Sequence, residues 1–268
     1  MTTFELIVQP DAEEPGAAEI FVAGVVAGRP YHFLLDTGAA RTTLPYDAHT
    51  ATYPTAGNHR GSGVFSAFHE DLITVPRVVL GPIVRTDMTV IRTSGQTSGH
   101  PLIGMDLLKE HCLLFRFGER RVWVDPARFT VESSLNQELW LDKAAHPYVS
   151  VWFGALEAQA VWDTGAGITV VDLDFVREYP ELFQEAGSST GTDATGMSMS
   201  TPMFLMTAMV IGNIAFPPQR VAGVELSGVN ARLERPMNLI LGYNTLSRAD
   251  WMFDFPQRRW GASPVAGE

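Results

Sequence analysis

Apolar residues along this chain come in short runs with the character of strands. Residues 20–26, 32–35, 72–80, 89–91 and 113–124 alternate in polarity or are rich in Val, Ile, Phe and Trp, side chains that suit a pleated, half-buried surface. Gly and Pro punctuate the runs, as turn residues do between strands. Helical periodicity is scarce. The strongest case is 173–186, with Asp172 as N-cap and Gly187 as the stop. Shorter helical turns fit 105–112 and 243–249. The pattern predicts a mainly β protein.

The pattern also recurs. Asp36-Thr37-Gly38-Ala39 is matched by Asp163-Thr164-Gly165-Ala166. Val79-Leu80-Gly81-Pro82-Ile83 follows the first tetrapeptide, and Val210-Ile211-Gly212-Asn213-Ile214 follows the second at a similar distance. Next come Leu102-Ile103-Gly104-Met105-Asp106-Leu107-Leu108 and Ile240-Leu241-Gly242-Tyr243-Asn244-Thr245-Leu246. Aromatic-rich segments at 113–124 and 251–260 close each series. Matching features in the same order predict two copies of one unit. Pro126, Ser133-Ser134 and Pro147 interrupt the pattern between them. The expected organisation is a lobe over 1–128, a linker over 129–145 with a short strand at 139–141 inside it, and a second lobe over 146–268.

Composition narrows the function. With 268 residues and 46% hydrophobic side chains, the chain can build a substantial core. Lys plus Arg number 19 against 30 Asp plus Glu, a net charge of -11, so nucleic acid and anionic membranes are poor partners. The single Cys112 cannot form an internal disulfide. No apolar run is long enough to span a bilayer, and the N-terminus has no signal-peptide pattern. A soluble, cytoplasmic protein is expected.

Each Asp-Thr-Gly directly follows an apolar strand, Phe33-Leu34-Leu35 or Ala160-Val161-Trp162. A carboxylate at a buried strand end is costly without hydrogen-bond partners. Gly38 and Gly165 allow a tight turn whose N–H groups face the carboxylate, and Ala39 and Ala166 let another element pack closely. One such loop alone reads equally as an ordinary β-turn. Two loops related by an internal repeat predict a pseudo-twofold axis that brings Asp36 and Asp163 face to face.

On these residues the chain resembles the retropepsin-like aspartic peptidases, as two subunits fused in tandem, from about residue 20 to 260. Both halves carry the family's Asp-Thr-Gly-Ala and its later apolar–apolar–Gly segment followed by Asp or Asn, here Ile103-Gly104-Met105-Asp106 and Leu241-Gly242-Tyr243-Asn244. Met105 and Tyr243 stand where viral members often have Arg. The resemblance implies an all-β, bilobal acid-protease fold with β-barrel-like lobes, a few short helices and the active site between them. It implies an endopeptidase acting on peptide or protein substrates with Asp36 and Asp163 as the catalytic pair. Thr37, Gly38, Ala39, Thr164, Gly165 and Ala166 would shape the site, with no metal or organic cofactor. A covalently linked pair can be complete as a monomer, with residues 3–8 and the final strand near 259–261 pairing in an interlobe sheet. The resemblance also points to flaps over the substrate. Candidate flap residues are Gly61, Gly63, Val64 and Phe65 in one half and Gly196 and Met197 in the other; the alternative is a pair of solvated hairpin turns.

Two carboxylates about 4 Å apart repel by ~4 kcal/mol at an effective dielectric near 20, roughly three pKa units, so such a pair holds one proton over a wide pH range. The ionised member can take a proton from a water between them while the protonated member hydrogen-bonds the scissile carbonyl. A catalytically silent peptide-binding module is the rival reading, although a pure binder has no need of two repelling carboxylates. Gly187-Ser188-Ser189-Thr190-Gly191 matches the Gly-x-Ser-x-Gly pattern of serine hydrolases but lacks the strand before it and the helix after it. The seven His residues show no metal-ligand spacing.

Ala39 and Ala166 bear no hydroxyl that could donate to either carboxylate, a contact worth about 1.5–3 kcal/mol to a charged group. The pair therefore ionises at higher pH than one with such donors. The kcat/KM profile is expected to peak at mildly acidic to neutral pH; a maximum near pH 2 contradicts this.

Overall fold

The structure, a computed structural model, describes residues 2–62, 67–93, 100–126, 135–192 and 198–265. It is an all-β protein with a few short helices. The N-terminal half runs β1 (Thr3–Glu5), β2 (Ile7–Pro10), β3 (Ala18–Val26), β4 (Arg29–Leu35), β5 (Thr43–Pro45), β6 (Thr55–Ser62), β7 (Ala67–Leu80) and β8 (Ile83–Thr93). It continues through β9 (Leu102–Ile103), helix α1 (Met105–Leu108), β10 (Cys112–Arg116) and β11 (Arg121–Val124). Then follow β12 (Gln137–Glu138), β13 (Trp140–Leu141), β14 (Pro147–Phe153), β15 (Leu156–Trp162), β16 (Val170–Asp172), α2 (Leu173–Glu178), β17 (Phe183–Thr192) and β18 (Ser198–Met206). The chain closes with β19 (Met209–Ile211), β20 (Ile214–Phe216), β21 (Gln219–Val224), α3 (Ser227–Asn230), β22 (Leu239–Leu241), α4 (Tyr243–Leu246), β23 (Ala249–Asp254) and β24 (Arg259–Pro264).

Each half has its own sheet. In the first, the order β2-β3-β4-β9-β5-β8-β7-β6 curls until β3 also pairs with β7, through Val25↔Val79 and Val26↔Val78. In the second, β14 pairs with β15 and also with β19, through Val151↔Ile211 and Trp152↔Val210. Strand β3 alternates inward and outward over much of its length, as a strand with one buried face does. Ile20, Val22 and Val26 of β3 are buried, while Glu19 is exposed.

A third sheet, β1-β11-β10-β23-β24-β12, takes strands from both ends of the chain. Its central pair joins the halves, with Leu113 opposite Phe253 and Phe115 opposite Trp251. The aromatic-rich segments supply the core here. Phe115 and Phe253 each lie 4.7 Å from Trp162, centroid to centroid, and Trp251 packs on Trp162, Phe216 and Trp260. Trp162 immediately precedes Asp163, so this core is the floor on which the second Asp-Thr-Gly loop rests.

Several expectations need correction. The helix expected over 173–186 stops at Glu178, because Pro180 cannot continue it, and Phe183–Ala186 enter β17 instead. Gly187 is not a helix stop. It takes a left-handed φ of 88° where the β17–β18 register shifts between Glu185 and Ser188, a bulge site that glycine suits. The other two helical segments end early, with Cys112 already in β10 and Ala249 in β23. The strand expected over 139–141 is β13, paired with β14. Residues 3–8 and the final strand do not pair with each other: β1 bonds β11, β2 bonds β3, and β24 lies between β23 and β12. Among the described residues no helix is long and apolar enough to cross a membrane.

Candidate active site

Strand β4 delivers Asp36 and strand β15 delivers Asp163. Each strand is flanked in parallel by a short apolar partner, Leu35 opposite Ile103 and Trp162 opposite Leu241. The parallel partner then receives the Asp backbone: the Asp36 N–H donates to the Ile103 carbonyl and the Asp163 N–H to the Leu241 carbonyl, both at 3.0 Å. Beyond the partner the chain crosses behind the loop. The Met105 N–H donates to the Ala39 carbonyl at 2.8 Å, and the Tyr243 N–H to the Ala166 carbonyl at 2.9 Å. That crossing requires glycine on backbone-contact grounds. A Cβ at Gly104 would meet the Arg41 carbonyl carbon at 2.6 Å, and one at Gly242 the Ile168 carbonyl carbon at 2.4 Å.

The two loops interlock. The Thr37 hydroxyl donates to the Trp162 carbonyl at 2.8 Å and accepts the Thr164 N–H at 3.1 Å, while the Thr37 N–H donates to the Thr164 hydroxyl oxygen at 3.1 Å. Both threonine side chains are buried, so these contacts are shielded from competition by water. Gly38 and Gly165 are small because the opposite carboxylate lies over each. A Cβ at Gly38 would meet Asp163 Oδ2 at 2.6 Å, and one at Gly165 would meet Asp36 Cγ at 2.5 Å. The sequence-predicted loop residues are thus brought together across the two halves.

Asp36 is 7% exposed, while Asp163 is partly exposed. Asp163 Oδ1 accepts the N–H of Gly165 at 2.8 Å and of Gly38 at 3.0 Å. Burial, then the charge and hydrogen bond of Asp163, push the Asp36 carboxyl well above the usual carboxylate range. Burial also raises Asp163, opposed by the glycine N–H groups, the nearby His146 and its hydrogen bond with Asp36. Burial thus raises both carboxyl groups, and the two titrate as a unit, with the second ionisation opposed by the first.

Sequence reasoning missed the supports beneath the loops. Thr42 gives its N–H (2.9 Å) and hydroxyl (2.8 Å) to the Asp106 carboxylate and accepts the Gly104 N–H at 3.2 Å. Thr169 gives its N–H (2.7 Å) and hydroxyl (2.9 Å) to Asn244 Oδ1 and accepts the Gly242 N–H at 3.1 Å. The signal was available, since a Thr stands at the same offset after both Asp-Thr-Gly-Ala stretches. Arg92 was also missed; it ties the base of the β6–β7 hairpin by donating to Asp71 Oδ2 at 2.7 Å and Thr55 Oγ1 at 3.0 Å. His146, whose Nε2 meets the Gly38 carbonyl at 2.9 Å, had no sequence signal at all.

Of the flap candidates, Gly61 belongs to β6, opposite Phe68 of β7. Gly63, Val64, Phe65, Gly196 and Met197 lie outside the described residues. The Ser189 motif lies within β17, paired with β18, not at the strand-to-helix turn that a serine nucleophile needs. Among the described residues, Asp172, Asp174 and Glu225 are close enough together to share a metal ion. Asp172 is already committed to the N–H groups of Asp174 and Leu226 and the amide of Asn230, and Arg177 bridges the other two.

Residues 22–107 match the model of a family described as aspartyl protease, a span that holds Asp36–Ala39 and the crossing segment at Gly104. The match supports a protease-type function. A search of curated proteins gives no match.

The raised Asp36 carboxyl has a consequence for stability that needs no substrate. Between the ordinary value of 3.8 and the raised one, the folded protein binds more protons than the unfolded chain. Wild-type stability therefore falls as pH rises through that window. Asp36→Asn removes the penalty while keeping a side chain that can both accept and donate. Urea unfolding should find this variant more stable than wild type at pH 7, with the advantage vanishing below about pH 4. An advantage that does not vary with pH overturns the assignment.

Proposed function

We propose that this protein is an aspartic endopeptidase of the retropepsin-like kind, built from two tandem copies of one unit and active as a monomer. One observation carries the reading: two carboxyl groups in mutual hydrogen-bond contact at the meeting of two interlocked Asp-Thr-Gly loops. Such a pair is poised to share one proton, and that single proton is what the chemistry uses.

A water lodged between the carboxyl groups loses a proton to Asp163 as its oxygen bonds to the scissile carbonyl carbon. Asp36 passes its proton to the carbonyl oxygen, giving a neutral tetrahedral diol. Collapse of the diol returns a hydroxyl proton to Asp36, and the proton taken up by Asp163 goes to the leaving nitrogen as the C–N bond breaks. The starting protonation state is thereby restored. The hydroxyl that attacks comes from water, so no acyl-enzyme forms.

The β6–β7 and β17–β18 hairpins support a substrate bound as an extended peptide beneath flaps, held by strand-like main-chain hydrogen bonds. The lobes of this reading are 1–128 and 146–268, joined through 129–145, and the cytoplasm remains the proposed location. A silent peptide-binding module is less well supported, because binding alone gives no role to a carboxyl group held in a raised protonation state.

Cleavage of a mixed peptide library across pH 3–8 tests the proposal with wild type, Asp36→Asn and Asp163→Asn. Each substitution is expected to lower kcat/KM at least about a hundred-fold, the scale of losing a general acid or base. Peptides that bind but are not cut by wild type at any pH would move the reading to a binding module.

A further inference from the structure

His146 lies on the turn leading into β14, in the C-terminal half, yet reaches the loop of the N-terminal half. Its Nε2 meets the Gly38 carbonyl oxygen at 2.9 Å and its Nδ1 meets Asp142 Oδ2 at 2.7 Å. A carbonyl and a carboxylate only accept hydrogen bonds. A neutral imidazole has one N–H, so satisfying both contacts requires the doubly protonated ring.

Asp142 is built to hold that cation. Its side chain is 5% exposed, and Oδ1 accepts the N–H groups of Ala144 and His146, both at 2.9 Å. These donors favour the ionised carboxylate and leave Oδ2 to the ring. Gly38, whose carbonyl is held by His146, gives its own N–H to Asp163 Oδ1 at 3.0 Å. The cation is thus one residue removed from the Asp163 carboxyl group.

Among the described residues, the first half has nothing equivalent. Ahead of β3, Asp11 Oδ1 accepts the N–H groups of Glu13 and Glu14, and Glu14 crosses to Arg220. The second loop is approached there by a backbone group, the Ala18 N–H on the Gly167 carbonyl at 3.2 Å. Two similar loops therefore sit in a one-sided electrostatic field.

We propose that His146, held as a cation by Asp142, is a positioning residue that settles the negative charge of the pair on Asp163 and leaves the proton on Asp36. Its effect on peptide cleavage rests on the protease reading; the charge placement itself is a property of the free protein. The titratable groups facing His146 are Asp142 on its own turn and Asp163 on the second loop. Asp142 in turn faces the Tyr148 hydroxyl, beside Arg235. Burial acts to discharge the His146 ring, and it is outweighed by the hydrogen bond and charge of Asp142, the charge of Asp163 and the Gly38 carbonyl, which together hold the ring above the usual histidine range.

Two measurements on the full chain test this. Imidazole 15N signals should show His146 doubly protonated at pH 7 in wild type and titrating at lower pH in Asp142→Asn. Asp163→Asn should also shift that titration down, and by more than Asp36→Asn does. A neutral ring at pH 7 in wild type, or equal shifts from the two substitutions, would overturn the assignment.

The second measurement is the kcat/KM profile of His146→Gln, which can keep the hydrogen bond to Gly38 but loses the charge. A nearby cation lowers the pKa of a carboxyl group, so its loss should move the acidic limb up by about one pH unit. At a pH on that limb this is a roughly ten-fold loss. A limb that does not move contradicts the proposal. If wild type cleaves no peptide, the protease reading fails and the imidazole signals alone decide the charge placement.

Discussion

Asp36 and Asp163 are held in hydrogen-bond contact with each other, and two carboxyl groups so placed cannot both ionise without a large penalty. The structure around them holds them there regardless. Thr37 and Thr164 exchange hydrogen bonds across the halves, and Gly38 and Gly165 leave room for the opposing carboxyl groups. Below the loops, the crossings at Gly104 and Gly242 are fixed by Thr42 with Asp106 and by Thr169 with Asn244. Deeper still, the shared sheet packs Phe115, Phe253 and Trp251 around Trp162. Each layer opposes the repulsion at the top by making separation of the halves costly.

Much of this was legible in the sequence because Asp-Thr-Gly-Ala occurs at both 36–39 and 163–166. A single Asp-Thr-Gly after an apolar run is ambiguous, but the second copy, followed in order by an apolar–apolar–Gly segment, predicts two equivalent loops that bring Asp36 and Asp163 face to face. Ile103 and Leu241 do lie beside Leu35 and Trp162. Local periodicity was less informative. The run 173–186 reads as one amphipathic helix until Pro180 breaks it, and the β17–β18 pairing takes the remainder. Strand partners were also out of reach at the chain ends, where β1 and β24 join one sheet but pair with different neighbours.

His146 shows why the rest was hidden. Nothing in its local sequence marks it, since its meaning depends on a contact with Gly38 across 108 positions of chain. Matching motifs reveal what two segments share and hide what sets them apart. The elements around the two loops do differ: the turn carrying Asp142 and His146 meets the first loop, while the chain ahead of β3 carries a Glu14–Arg220 ion pair instead.

The central claim, that Asp36 and Asp163 share one proton, is tested most directly by following their side-chain carboxyl 13C signals through a pH titration of the free protein. The account predicts two well-separated steps that belong to the pair, with Asp36 keeping its proton after Asp163 has ionised, and a single step in either Asp→Asn variant. Two carboxyl groups that titrate together near the ordinary aspartate value would contradict it.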